Sequence, residues 1–235
     1  MELKNAKVLI TGGSQGIGLE TAKLLISKGA HVAICARDKA KLEKAASETG
    51  AIPIHADVSN EEEVIKMMQQ VSKKWDDFNV LINNAGYGYF NLLENIDIAA
   101  FKKLLDTNVI GATLCAREAA NHFMKKNYGN IINIASTAAK SGFQSGTAYC
   151  ASKFALTALT ECWRAELRKY NVRVMQINPS EVQTNFVINS WREARAFNPT
   201  KLQASEVAHG IASMLEMNDR GFITELTVFA TNPQP

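Results

Sequence analysis

Tyr149-Cys150-Ala151-Ser152-Lys153 places a phenol and an ammonium four residues apart. On a helix that spacing puts both groups on one face. A free phenol, with a pKa of about 10, is too weakly acidic to act as a base at neutral pH. A nearby cation favours the phenolate and lowers that value. Tyr149 can then give a proton to a carbonyl oxygen or take one from an alcohol. The pair alone is weak, because chance produces such spacings. Ser136 strengthens it. It follows the apolar run Ile131–Ala135 and precedes Tyr149 by a short loop. A serine at a strand end is most often a turn residue or cap, but its hydroxyl can also hold a substrate oxygen. Asn108, in Asp106-Thr107-Asn108-Val109, sits inside a helical pattern where asparagine is unfavourable, which hints that it has a task.

A second group of residues suits an anionic cofactor. Thr11-Gly12-Gly13-Ser14-Gln15-Gly16-Ile17-Gly18 joins the first apolar run to the first helical pattern. Glycines there permit a tight turn and let the backbone approach a pyrophosphate, while the helix N-terminus offers amides and a positive dipole end. The next run ends Ala36-Arg37-Asp38. Dinucleotide sites of this design usually need a carboxylate at that place for the ribose hydroxyls, whereas an arginine can clamp a 2′-phosphate. Arg37 therefore favours NADP(H), against the plainer reading of a solvated strand end. Asp38 keeps NAD open, since a small shift of the turn brings its carboxylate to the ribose.

Apolar runs at Val8–Ile10, His31–Ala36, Ile52–His55, Val80–Asn83, Ile131–Ala135, Val172–Ile177 and Phe222–Phe229 read as strands. Between them lie helical patterns at Ile17–Lys28, Lys39–Glu48, Glu61–Trp75, Ala100–Lys126, Ala148–Tyr170 and Ser205–Met217. Alternation of this kind predicts an α/β fold, a doubly wound, seven-stranded parallel sheet with helices on both faces. No repeat or linker interrupts it, so the expectation is one domain over residues 1–235. Thr184–Pro199 is a long connection carrying Phe186, Trp191 and Phe197, and is expected to cover a substrate.

Composition narrows the classes. The chain has 235 residues, 46% of them hydrophobic, enough for a sizeable core. A net charge of +3 argues against nucleic acid as the main partner. The four cysteines form no CxxC pair and have no zinc-ligand spacing, so no metal is expected and reduced thiols of a cytoplasmic protein are. Met1 to Lys7 is charged and does not read as a signal peptide. No apolar run approaches a membrane span.

Taken together, TGxxxGxG at Thr11–Gly18, Asn83-Asn84-Ala85-Gly86, Asn108, Ser136 and YxxxK occur in the order and spacing of the short-chain dehydrogenase/reductase family. The chain resembles that family over nearly its whole length, and is most like 3-oxoacyl-carrier-protein reductases. The resemblance implies a Rossmann-type fold and hydride transfer at nicotinamide C4, without covalent catalysis. It gives Ser136, Tyr149, Lys153 and Asn108 catalytic places, Asn108 by holding a water that links Lys153 to solvent. It places Gly12, Ser14, Gln15, Gly16, Ile17, Gly18 and Arg37 on the cofactor, with Asp57 and Val58 beside the adenine. Asn84, Ala85, Gly86, Tyr149, Lys153, Pro179, Val182 and Thr184 are implied at its nicotinamide half, while Asn83 is expected to brace the sheet. It further implies a homotetramer, or else a dimer.

Two departures stand out. Ser180 replaces the family's usual glycine after Pro179, so the backbone there either keeps φ negative or bears the cost of a left-handed conformation. The C-terminal run Thr224–Pro233 lacks the glycine-rich ending of the carrier-protein reductases. Tyr89, Phe90, Phe143, Phe186 and Trp191 are candidate walls of a substrate pocket. Glu181 adds a carboxylate nearby that either repels acidic substrates or faces solvent. The expected reaction is reduction of a ketone such as a 3-oxoacyl thioester. The alternatives are a sugar or polyol dehydrogenase, or a non-catalytic nucleotide sensor.

Overall fold

The computed structural model describes residues 1–184, 186 and 196–234. Strands β1 (Lys7–Thr11), β2 (His31–Ala36), β3 (Ile52–His55), β4 (Val80–Asn83), β5 (Gly129–Ile134) and β6 (Val172–Pro179) form the main sheet. Short strands β7 (Val182–Gln183) and β8 (Leu202–Gln203) pair with each other apart from it, and β9 (Glu225–Val228) returns to it beside β6. The seven strands run in the order β3-β2-β1-β4-β5-β6-β9, and every neighbouring pair is parallel. The doubly wound sheet expected from the sequence is thus present.

Its strands are continuous apolar runs because both faces are covered. Successive side chains point to opposite faces, so Val8 and Ile10 join one core while Leu9 joins the other. Helices α1 (Gly16–Ser27), α2 (Lys39–Thr49) and α7 (Ala204–Glu216) cover the first face through Leu25, Leu42 and Ile211. Helices α3 (Glu61–Lys74), α5 (Ala112–Lys126) and the end of α6 (Thr147–Leu167) cover the second through Met67, Phe123 and Leu167. Each such side chain contributes roughly 1.5–3 kcal/mol when fully buried.

Polar caps fix where helices begin. Asp38 accepts the Lys41 amide at 3.0 Å to start α2, and Asn60 accepts that of Glu63 at 3.2 Å to start α3. Asp97 starts α4 (Ile98–Leu105) in the same way. Helix α1 differs: Gln15 precedes it with no side-chain cap, leaving its first amides to another partner.

The pattern at Ala100–Lys126 predicted a single helix. Instead α4 passes into a π-helical turn, Asp106–Gly111, before α5 begins. One extra residue per turn rotates Asn108 inward, and a period of 3.6 cannot register it. The last strand is shorter than expected, because only Glu225–Val228 finds a partner, at Gln176–Pro179. Of the predicted substrate cover, residues 185 and 187–195, including Trp191, lie outside the described residues. The stems on either side are joined by the β7–β8 pair and by Gln183, whose Oε1 accepts the Asn198 amide at 2.8 Å.

Candidate active site

The strand order reverses at β1, with β2 and β3 to one side and β4, β5, β6 and β9 to the other. Ligands of doubly wound sheets sit at the carboxyl ends beside that reversal. There a cavity of about 940 Å³ runs from the ends of β2 and β3 to the start of α6.

Its middle is a backbone cradle. Gly12 has φ +66°, and a Cβ on it would lie 2.9 Å from the Cα of Ala85. Gly16, at φ +58°, packs against Thr184. Asn84 Nδ2 donates to the carbonyls of Thr11 and Gly12 at 2.9 and 3.0 Å, and Thr11 Oγ1 accepts the amides of Asn84 and Ala85, both at 3.1 Å. These bonds lock the first turn to the end of β4. Ser14, Gln15, Gly16 and Ile17 line the cavity beside the uncapped start of α1. A close backbone and an uncapped helix start suit a pyrophosphate. Gly18, expected on the cofactor, is not part of the cavity lining. It lies behind the wall, where a Cβ would sit 2.6 Å from the Gly12 carbonyl oxygen, so it allows the helix to approach the turn.

At the β2 end the wall is Ala36, Arg37, Asp38, Lys41, Ala56 and Val58. Arg37 and Lys41 are both exposed cations. The sequence reading missed Lys41, although its place one turn into the helix after Arg37 was a usable signal. The Asp38 carboxylate is committed to capping α2, and the Lys41 amide bond holds its pKa below the usual value. Asp57, expected beside the adenine, stands next to the lining residues Ala56 and Val58. Its Oδ1 accepts the Ser59 amide and hydroxyl at 2.9 and 2.7 Å, and Oδ2 pairs with Arg37 at 3.6 Å. Partial burial pushes its pKa up, but Ser59 and Arg37 outweigh that and hold it low.

Ser136, Tyr149 and Lys153 meet on the opposite wall. The end of β5 carries Ser136, whose Oγ accepts the Ala138 amide at 3.1 Å and lies near enough to Tyr149 to pull on its phenol. Helix α6 carries Tyr149 and Lys153 on one face. Lys153 Nζ donates to the Ile134 carbonyl at 2.8 Å and lies 5.8 Å from the centre of the Tyr149 ring. Both side chains are buried. Burial pushes the Tyr149 phenol up to about 12 against the pull of Ser136, and brings Lys153 down to about 8. Contrary to the sequence expectation of a phenol lowered by its lysine, loss of water dominates and the only opposing pull comes from Ser136.

Asn108 is buried behind Tyr87 rather than on the cavity wall. Its Oδ1 accepts the Tyr87 amide at 3.1 Å, and Nδ2 donates to the Tyr87 carbonyl and to Ser152 Oγ at 2.9 and 3.1 Å. The side chain thus ties the β4 end to α6, a task the sequence did not suggest. Asn83 braces the sheet as expected, donating to Asn133 at 3.0 Å and to the Ala112 carbonyl at 3.1 Å.

Past Tyr149 the cavity is aromatic. Phe90, Phe143 and Phe186 line it, as does Tyr87. Tyr89 does not: its hydroxyl accepts the Asp97 amide at 2.8 Å and its ring packs with the Tyr87–Leu104 cluster. Adjacency in sequence could not tell which tyrosine turns inward. Pro179, Val182 and Thr184 line the wall beside the cradle, with Ala85 and Gly86. Ser180 is not among the residues with positive φ, and its amide donates to Val228 at 2.9 Å, extending the sheet bonding. Glu181 reaches the rim, where Lys201 Nζ pairs with it at 2.8 Å. Its charge is therefore compensated, which neither sequence reading foresaw. Trp191 lies outside the described residues.

The general model for short chain dehydrogenase matches residues 6–195. Dehydrogenase/reductase SDR family member 11 of Gallus gallus is 34% identical over 226 residues, spanning 88% of this chain and 89% of that one. Among solved structures, an alcohol dehydrogenase from the archaeon Thermococcus sibiricus, complexed with 5-hydroxy-NADP, superposes with a TM-score of 0.87 at 26% identity over 97% of this chain and 98% of the other. A 3-ketoacyl-(acyl-carrier-protein) reductase from Brucella melitensis, complexed with NADH, gives 0.88 at 27% identity over 95% and 96%. Sheet order, first turn and likeness across most of the length agree: the chain belongs to the short-chain dehydrogenase/reductase family of oxidoreductases.

Proposed function

We propose that the protein is an NADP(H)-dependent ketoreductase, interconverting a ketone and a secondary alcohol. One observation carries this reading: Ser136, Tyr149 and Lys153 share a cavity with the glycine cradle. When bound, the dinucleotide supplies or accepts a hydride at its nicotinamide. The chain's own residues handle the proton. Tyr149, at about 12, keeps its phenolic proton at neutral pH and can give it to a carbonyl oxygen. Ser136 holds that oxygen through its hydroxyl. Lys153, at about 8, stays largely charged at neutral pH and is placed to resupply a proton beside the phenol. In the alcohol direction the same groups run in reverse.

NADP(H) over NAD(H) rests on Arg37 and Lys41 at the cavity's far end and on the commitment of Asp38 to its helix. The neighbours named above contain one cofactor of each kind, so the residues decide it. A 3-oxoacyl thioester is one fitting substrate. A sugar or polyol is less well served, since Phe90, Phe143 and Phe186 wall the cavity past Tyr149. Tyr149→Phe removes only a hydroxyl, so NADPH affinity should persist while turnover falls by about 10²–10⁴-fold or more. Lys153→Ala should lose cofactor affinity as well. Steady-state rates and NADPH titration of both variants test this, and near-normal turnover in Tyr149→Phe would show that another group supplies the proton.

A further inference from the structure

We infer that Phe90, Phe143 and Phe186 form a preformed aromatic cleft over Tyr149 that selects ketones bearing a planar, uncharged ring beside the reacting carbon. The inference rests on the ketoreductase reading for where the carbonyl sits. The three rings come from separate segments: one follows β4, one precedes α6 and one follows β7. Ring centres of Phe90 and Phe186 lie 5.2 and 5.6 Å from that of Tyr149, and Phe143 lies 6.1 Å from Phe90. All four rings line the cavity, and each pair is tilted by 33° to 59°. A flat ring lying beside the carbonyl meets faces and edges in the offset and tilted arrangements that aromatic pairs favour.

Two walls of the cleft, Phe90 and Phe143, are held before any substrate arrives. The Asn91 amide donates to the Ser145 carbonyl at 2.9 Å, tying the segment of Phe90 to the loop of Phe143. The Gly146 amide donates to the Phe143 carbonyl at 3.0 Å. A Cβ on Gly146 would lie 2.8 Å from the Phe143 ring and 3.0 Å from Cys150 Sγ, so the ring occupies space a side chain would fill. Ser145, at φ +62°, takes a left-handed conformation that residues other than glycine adopt at a cost. Phe143 nevertheless stays 49% exposed. A fixed apolar ring left half open at a cavity mouth has surface to bury against a ligand.

The polar inventory argues the same way. The Ser136 and Tyr149 hydroxyls address one oxygen beside the rings, and the rim carboxylate of Glu181 is paired with Lys201, while Tyr87, Lys103, Thr107 and Ser180 are the other polar side chains of that half of the lining. Further hydroxyls of a ketose would lose water against ring faces without regaining hydrogen bonds. A ring-bearing ketone has only one oxygen to satisfy.

The test uses binding as well as turnover. Acetophenone, cyclohexyl methyl ketone, a ketopentose and an acetoacetyl thioester are titrated into NADPH-loaded Tyr149→Phe, followed by nicotinamide fluorescence. The same compounds are assayed for kcat/KM with the native protein. Acetophenone should bind about 100-fold more tightly than the ketopentose, on the scale by which mismatched pockets discriminate. It should also bind several-fold more tightly than the puckered cyclohexyl compound. Phe143→Ala and Phe90→Leu should each reduce the ring preference by about tenfold with NADPH affinity unchanged. Ketopentose or thioester bound as tightly as acetophenone, or a ring preference that survives both substitutions, would overturn the inference. Ring-selective binding without turnover in the native protein would support the cleft and overturn the ketoreductase reading instead.

Discussion

Burial acts on Tyr149 and Lys153 in opposite senses, raising the acid and lowering the base, so both are driven toward their neutral forms. For Lys153 this has a consequence for stability. Its pKa falls from 10.5 in the unfolded chain to about 8 in the fold. Between those values the unfolded chain binds a proton that the native protein does not, so stability rises with pH there. Below about 8 both states are protonated and the full cost of burying the charge is present, on the order of 3 kcal/mol at ~1.4 kcal/mol per unit. Lys153→Met removes that charge and also the bond to Ile134, which offsets about 1 kcal/mol. The variant should therefore melt about 5 °C higher than the native protein at pH 7. The gain should shrink as pH rises from 8 toward 10. Paired thermal melts across that range check it, and a gain independent of pH would show that the ammonium is not what the fold strains to hold. At the other end of the cavity, Arg37 shares its charge with Asp57. Arg37→Asp replaces attraction for a 2′-phosphate with repulsion. It should weaken NADPH binding by at least about tenfold, on the scale of a charge-assisted bond, and leave NADH nearly unchanged. Fluorescence titration with both cofactors measures it, and parallel losses would remove Arg37 from the clamp.

Elements carry the site by close approach, and the π-helical turn shows how. Its last residue, Gly111, lies so near the adjoining loop that a Cβ would sit 2.9 Å from Val58 Cγ2 and 3.0 Å from the Val58 carbonyl oxygen. Val58 in turn lines the β3 end of the cavity. Gly111→Ala should cost about 1–3 kcal/mol through overpacking, and should weaken NADPH several-fold by moving Val58, while leaving the Tyr149 pocket intact. Thermal melts with NADPH titration and kcat at saturating cofactor separate these effects, and unchanged affinity would mean the loop yields elsewhere. The turn also shows what sequence can and cannot carry. Strands β4, β5 and β6 were legible because a sheet covered on both faces writes itself as unbroken apolar runs. The glycine turn, Ser136 and the YxxxK pair were legible because their chemistry depends on spacing along the chain. The π turn was not, since widening by one residue leaves the apolar pattern of α4 and α5 almost undisturbed. Side-chain direction was not legible either. Tyr87 faces the cavity and Tyr89 the start of α4 because Asn108 grips the Tyr87 backbone, a contact made across 21 residues. Polar bonds such as Gln176 Nε2 to Thr157 Oγ1, at 2.9 Å, likewise join strand and helix with no local signal.

At the scale of the whole molecule, the elements that bear the site also bear uncovered apolar surface. Ile110 on the π turn is 49% exposed, and Phe154 on α6, next to Lys153, is 46% exposed. Scattered apolar side chains are ordinary on a surface, but these two stand on elements packed against each other. Strand β9 lies at the sheet edge, and Phe229 just beyond it is 66% exposed. An open strand edge with an exposed ring beside it invites pairing, which native proteins usually block or use. We therefore propose a homotetramer, or else a dimer, built through α5, α6 and β9, in which each contact is repeated by two-fold symmetry. A stable interface of this kind buries roughly 1,200–2,000 Å². Light scattering at micromolar concentration should give a mass at least twice that of the chain. Phe154→Asp places a charge in the α6 contact without touching the Tyr149 side of the cavity, so it should shift the protein toward smaller species. A charge buried at an interface without a partner typically costs several kcal/mol, enough to move a micromolar equilibrium by two decades or more. Because α6 also holds Tyr149 and Lys153, loss of that contact should lower the melting temperature and kcat together while NADPH affinity falls less. A native protein that is monomeric under these conditions would show that Ile110 and Phe154 are surface residues of no assembly, and that α6 is held in register by its own sheet alone.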